Sequence, residues 1–161
     1  MLATAKIPVL ARTATSVRRA TASDLGGLVA LEKATFALDR MSERQLRRHL
    51  DSRSADVLVA MRKRRVVGAA IVFYRRGHDI ARLYSIAVAA SERGTGIGAE
   101  LLAAAEQMAR GRGSRRLRLE VRADNPAAQR LYERAGYRAF GDHRSYYEDG
   151  ADARRYEKHL L

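Results

Sequence analysis

The run Arg93-Gly94-Thr95-Gly96-Ile97-Gly98-Ala99 constrains this chain more than any other stretch. It follows an apolar, strand-like segment, Ala81 to Val88. It precedes a helical face made by Leu101, Leu102, Ala105, Met108 and Ala109. Glycines in such a turn let backbone N–H groups approach an anion closely, and the helix N-terminus adds partial positive charge. Arg93 adds a full one. A pyrophosphate suits the turn, although glycines at a helix start also serve purely structural ends. No Walker string of Gly, four residues and Gly-Lys-Ser/Thr exists here. Gly94-x-Gly96-x-x-Ala99 does meet the dinucleotide spacing, and Glu120 falls about where a ribose-binding acid would. Two features oppose that reading. Ala89 to Glu92 separate the strand from the turn, and only one further helix–strand unit follows.

The remaining elements follow from periodicity and punctuation. Ser16 to Ala20 reads as a first strand, and residues 1–15 as a loose tail without acids or periodicity. Thr21 and Asp24 form a capping-box pattern before a helix over 23–35. Ser42 caps a second helix ending at Asp51. Val57 to Ala60 and Val66 to Tyr74 are strands joined by a turn at Lys63-Arg64-Arg65. Gly111 and Gly113 end the helix that the Gly-rich loop opens. Leu117, Leu119 and Val121 alternate with Arg116, Arg118 and Glu120, the mark of a strand. Asn125-Pro126 starts another helix, striped by Ala128, Leu131, Tyr132 and Ala135 and stopped by Gly136. Tyr137 to Phe140 and Ala153 to His159 close the chain. The order β-α-α-β-β-β-α-β-α-β-β predicts an α/β fold with a mixed sheet, one domain over 16–161.

Composition narrows the function classes. With 161 residues the chain is long enough for one real core and too short for two ordinary domains. It has no cysteine, which excludes disulfides, thiolate metal sites and a cysteine nucleophile. His49, His78, His143 and His159 share no metal-ligand spacing, so no metal is expected. No apolar run approaches the ~20 residues that span a bilayer, and no secretion signal is read at the start, so a cytoplasmic location without membrane contact is expected. Thirty-one basic against 18 acidic residues give a net charge of +13. That charge attracts anions, yet the basic residues are scattered. Aromatic residues make up only 6% and do not interleave with the basic ones, so no specific nucleic-acid partner is expected.

Four motifs in order give the chain a resemblance to the GNAT superfamily of N-acetyltransferases. They are Ser85-Ile86-Ala87-Val88, then Arg93-Gly94-Thr95-Gly96-Ile97-Gly98, then Leu119-Glu120-Val121-Arg122 with Asn125, Leu131-Tyr132 and Gly136-Tyr137, then Tyr146 to Ala153. The last of these resembles the protein N-terminal branch, with the ribosomal-protein-alanine acetyltransferases nearest. The resemblance implies a mostly antiparallel mixed sheet flanked by about four helices. It also implies a V-shaped splay between strands at an acetyl-CoA site. Carried over by position, Ile86, Ala87 and Val88 offer backbone groups to the pantetheine and the acetyl carbonyl. Arg93 and Gly94 through Ala99, including Thr95, Ile97 and Gly98, wrap the pyrophosphate, and Asn125 contacts the pantetheine. Glu120 corresponds to the general base and Tyr132 to the general acid, while Tyr146 and Tyr147 line the substrate entrance. The acceptor implied is a protein or peptide α-amino group, a ribosomal protein among the candidates, and the enzyme a monomer or homodimer.

The residues also carry plainer readings. On pattern alone Glu120 is a solvated strand residue, Tyr132 a core tyrosine, and Tyr146-Tyr147 ordinary sheet aromatics. Glu32 sits seven residues after Leu25 on an apolar face. It either aims a carboxylate at a substrate amine or simply reaches water. Two rival functions remain open here, acetylation of a small amine such as a polyamine or amino sugar, and a non-catalytic acyl-CoA-binding module.

Overall fold

The computed structural model describes residues 14–161. The tail expected over 1–15 therefore lies, up to residue 13, outside the described residues. Strand β1 (Ser16–Arg19) leads through a single 3-10 turn into α1 (Leu25–Thr35) and α2 (Glu43–Asp51). Strands β2 (Ala55–Arg62), β3 (Arg65–Phe73) and β4 (Ile80–Val88) form a meander. Helix α3 (Ile97–Gly111), β5 (Arg116–Arg122), α4 (Pro126–Arg134), β6 (Arg138–His143) and β7 (Ala153–His159) complete the chain. The seven strands form one sheet in the order β1-β2-β3-β4-β5-β7-β6. Only β4 and β5 run parallel. Among the described residues no helix is long and apolar enough to cross a membrane.

Local chemistry sets the element ends. The Asp24 carboxylate accepts from the Thr21 N–H at 2.7 Å and holds Arg18 through two bonds of 2.7 and 2.9 Å. The turn at 22–24 is thereby tightened to 3-10 form, so α1 starts at Leu25 rather than Ser23. Ser42 and Gln45 close a reciprocal capping box on α2. The β2–β3 turn places Lys63 and Arg64 at φ of 48° and 63°. A tight hairpin demands that conformation, and here it is met without glycine or asparagine. Strand β6 runs three residues past the expected Phe140 and is exposed throughout.

Helices cover both faces of the central strands, which is why β2 and β3 are buried along most of their length. Leu28, Leu31 and Leu46 of α1 and α2 pack on Val57, Val59, Ala69 and Ile71. Leu101, Leu102, Ala105 and Ala109 of α3 pack on Leu58, Ala70, Val72, Leu83, Leu117 and Leu119.

Two irregularities shape the middle of the sheet. Ile71 pairs with Ser85 but Val72 pairs with Leu83, so Tyr84 is an extra, bulged residue in β4. The β4–β5 ladder runs from Ile80↔Arg116 only to Leu83↔Leu119. Beyond that pair β4 continues to Val88 and β5 to Arg122 without pairing to each other. The strands part, giving the splay that the resemblance implied.

Candidate active site

The parted strands expose backbone that a regular sheet would satisfy. Ala89 donates its N–H to the Val67 carbonyl at 2.8 Å, and the register pairs Ala87 with Ala69. In an antiparallel ladder every second residue bonds across to the partner. Ala87 therefore spends its backbone groups on β3. Ile86 and Val88 turn theirs the other way, into the gap beside β5. Of the three residues expected to offer backbone there, two are placed to do so.

The Gly-rich loop stands at the mouth of this gap. Gly94 and Gly96 take φ of 76° and 90°, a region that L side chains rarely adopt, and Gly96 is the N-cap of α3. Among the described residues, none of the N–H groups from Gly94 to Ala99 meets an acceptor within the chain. Six unpaired donors at a helix N-terminus form an anion cradle. The Arg93 side chain is exposed beside it. A brace holds the loop from below. The Thr95 hydroxyl donates to the Glu92 carbonyl at 2.5 Å, and the Glu92 carboxylate meets Arg62 at 2.5 Å. Arg62 comes from the end of β2 and was not foreseen, since nothing local ties it to residues thirty positions later. Across the loop, a Cβ on Gly98 would lie 3.4 Å from Leu131, so α3 and α4 approach closely here. Asn125 caps α4, its Oδ1 accepting the Ala128 N–H at 3.1 Å. That leaves its NH2 for other partners.

A polar and aromatic cluster gathers around Glu120. One carboxylate oxygen accepts from Arg82 Nε at 3.1 Å, and the other lies 3.8 Å from Arg155 Nε. Arg82 also hydrogen-bonds the Tyr146 hydroxyl. The rings of Tyr146 and Tyr147 meet edge to face at 5.0 Å. Burial, then the neighbouring Tyr146, pushes the Tyr147 phenol up to about 12. Tyr147 lies within electrostatic reach of both Glu120 and Tyr132. Tyr132 is buried, set edge-on to Tyr137 at 5.8 Å. Among the described residues no hydrogen bond engages its hydroxyl. Burial raises that phenol well above the ordinary tyrosine value.

Two loops close over this cluster. The β6–β7 loop is tied to the end of β5 by Arg122, which meets Asp149 at 2.6 Å. It touches the α1–α2 loop where the Glu148 N–H donates to Asp39 at 3.4 Å. Glu32 does not simply reach water. It is only 8% exposed and accepts the Met41 N–H at 2.8 Å, which fixes the loop between α1 and α2. Burial raises its carboxyl above the usual range, against the pull of the Met41 N–H and Arg40. Arg82 and Arg155 escaped notice for one reason. Two cross-strand registers bring them to Glu120, and a single strand's pattern carries no register.

A parted β4–β5 pair beside an open N–H cradle defines an acyl-transfer fold. The chain belongs to the acetyltransferase (GNAT) domain family, which matches residues 18–160. A Bacillus subtilis protein named as a ribosomal protein bS18-alanine N-acetyltransferase is 38% identical over 76 residues. That match covers 47% of this chain and spans only half the length of the relative. The N-alpha-acetyltransferase 30 of Schizosaccharomyces pombe is 34% identical over 101 residues, 61% of this chain and 67% of that protein. The crystal structure of the Escherichia coli ribosomal-protein-S18-alanine N-acetyltransferase superposes with a TM-score of 0.81 at 27% identity, covering 91% of this chain and 94% of that one.

Proposed function

We propose that this N-acetyltransferase moves an acetyl group from acetyl-CoA to the α-amino group of a protein or peptide, directly, within a ternary complex. The six unpaired N–H groups of Gly94 to Ala99, opening onto the gap that exposes Ile86 and Val88, carry this reading. They suit a pyrophosphate followed by an extended arm that can add to the edge of β4. Acetyl-CoA supplies the activated thioester acyl group. The cradle binds its pyrophosphate, with Arg93 adding charge. Val88 or Ile86 directs an N–H at the position where acyl oxygen gathers charge. Asn125, whose Oδ1 caps α4, offers its NH2 to the pantetheine arm in this reading.

Glu120 takes the proton from the attacking amine, directly or through one water. An α-amino group, with a pKa near ~7.7–8, needs less help than a lysine at ~10.4. Tyr132 holds its proton at neutral pH because burial raises its phenol. It gives that proton to the departing sulfur as the C–N bond forms and the C–S bond breaks, so CoA leaves as the thiol, and solvent reprotonates the phenol while Glu120 releases the amine's proton. The absence of cysteine leaves no cysteinyl acetyl-enzyme, which fits direct transfer. The names of the Bacillus, fission-yeast and Escherichia relatives support a polypeptide acceptor, with a ribosomal-protein N-terminus the first to try. Tyr146 and Tyr147 line its entry in this reading.

The test is CoA thiol release with acetyl-CoA and peptides varied at their first residues, the acetylated nitrogen located by mass spectrometry. Glu120→Gln should lose about 100-fold in kcat near pH 7. The loss should shrink as pH rises past ~8 and the acceptor amine deprotonates by itself. Acetylation of lysine side chains or small amines alone would refute the polypeptide reading. An isolable acetylated enzyme that passes its acetyl group on would refute direct transfer.

A further inference from the structure

Helices α1 and α2 cover one face of β2, β3 and part of β4, and the same face continues without a helix over β5, β7 and β6. Pairing places Arg82, Arg118, Glu157 and Arg138 in one cross-strand row. Glu120 and Arg155 share the next row, and Arg116 and His159 the row before. Five arginines thus share two carboxylates. Glu157 lies 2.5 Å from Arg118 and 3.8 Å from Arg116. Glu120 is divided between Arg82 and Arg155. Among the described residues Arg138 has no carboxylate partner, and the buried Arg155 Nε has no hydrogen-bond acceptor. Phe140, 42% exposed, carries the guanidinium groups of Arg118 and Arg155 at 4.9 and 4.8 Å from its ring centre. Stacking of this kind holds a guanidinium flat and leaves N–H edges for a carboxylate.

We propose that this arginine face binds an acidic segment of the acceptor polypeptide, in the residues that follow its reactive amine. The proposal rests on the reading that the amine lies at Glu120. Position favours a polypeptide of this kind. Arg82 bonds both Glu120 and Tyr146, so the face begins where the acceptor's first residues would sit. Nucleic acid fits less well. Its phosphates would run onto Glu120 and Glu157, and the exposed ring of Phe140 is engaged by guanidinium groups rather than free to stack a base.

The test uses three peptides that share their first three residues and carry glutamate, serine or lysine at the next five. The glutamate peptide should show a KM about tenfold below the lysine peptide in low salt, with kcat similar. The gap should close near 1 M salt, where the screening length falls to ~3 Å. Arg138→Glu, on an exposed edge position, should cut the preference several-fold, and Arg118→Gln should do likewise. Equal KM values, or a preference for lysine, would overturn the proposal. A glutamate peptide already N-acetylated separates the two readings. If no peptide is acetylated but this one binds, and Arg138→Glu weakens it, the face stands and the acceptor assignment falls. If it does not bind, the face falls. Single-stranded RNA of equal charge binding more tightly through the same arginines would also overturn it.

Discussion

Replacing Gly68 with alanine tests whether the sheet under α3 sets the anion cradle. Gly68 pairs with Val88 at the end of β4, beneath the first turns of α3. A Cβ there would lie 2.9 Å from Leu101 Cδ1, 3.1 Å from Ile97 Cγ2 and 3.2 Å from the Ala87 carbonyl oxygen. Leu101 and Ile97 are 0% and 1% exposed, so neither side chain has open space to swing into. The Ala87 oxygen is tied into the β3–β4 ladder. Relief must come from lifting α3 by a few tenths of an ångström. Overpacking of this kind costs about 1–3 kcal/mol. The loss of glycine's extra unfolded-state freedom returns roughly 0.5–1 kcal/mol. The net cost is about 0–2.5 kcal/mol, which for a chain of this size lowers Tm by up to about 10 °C. The lift falls on the helix turn that carries the cradle, so the KM for acetyl-CoA should rise more than the KM for peptide. Differential scanning calorimetry and initial rates read both effects. Gly26→Ala is the control, because a Cβ there meets nothing within 4 Å. A Gly68→Ala protein that melts with wild type and keeps its acetyl-CoA KM would refute the reasoning.

Other perturbations probe the supports. Asp56 is 1% exposed and gathers Arg19 at 2.5 Å, Arg112 at 2.8 and 2.9 Å, and the Tyr74 hydroxyl at 2.7 Å. Asp56→Ala should cost about 3 kcal/mol in urea unfolding, and a loss under about 1 kcal/mol would mean the cluster is idle. Arg62→Gln should raise the acetyl-CoA KM several-fold with kcat retained, and Glu92→Gln should add little on top, because both break one brace. A purely additive double variant would contradict that. Glu32 has its carboxyl raised by burial. Its contribution to stability is therefore full below the unfolded-state value and is lost as pH rises through the folded one. Gln at this position can still accept the Met41 N–H, so Glu32→Gln should gain in Tm relative to wild type between pH 4 and 7.5. A variant that loses ground as pH rises would reverse the sign and sink the argument.

Periodicity made the element order legible because each strand and helix hides one face and its punctuation is local. Glu120 alternates with Leu119 and Val121, and the structure does set it on the face opposite them. The limits of legibility are all non-local. Tyr84 bulges only because β3 and β4 slip by one residue there, and a lone strand has no register. Arg82 and Arg155 reach Glu120 from two different strands, far apart in the chain. Glu32 read as a helix-end carboxylate bound for water or substrate. It is buried rather than solvated, because the chain folds back and presents the Met41 N–H to it. Tyr132 is packed as a core tyrosine against Tyr137 and Tyr156, and among the described residues no hydrogen bond engages its hydroxyl. The stripe on α4 foretold the packing, and no spacing rule foretells an idle hydroxyl.

One crossover accounts for the donor side of the site. A parallel neighbour for β4 cannot be reached by a hairpin, so the chain must cross the sheet, and α3 makes that crossing. The helix therefore starts at the end of β4 where pairing with β5 has stopped, and its unpaired N–H groups open onto the unpaired backbone of Ile86 and Val88. Cradle, gap and the strand that carries Glu120 are three consequences of a single β-α-β unit. The acceptor side has no such economy. It is assembled from the α1–α2 loop, the β6–β7 loop and the open face of β5, β7 and β6, which meet through contacts such as Glu148 to Asp39 and Arg122 to Asp149. These contacts are exposed and individually weak. On the proposed function, substitutions there should reshape acceptor choice while the β-α-β unit, and with it the binding of the acyl donor, stays intact.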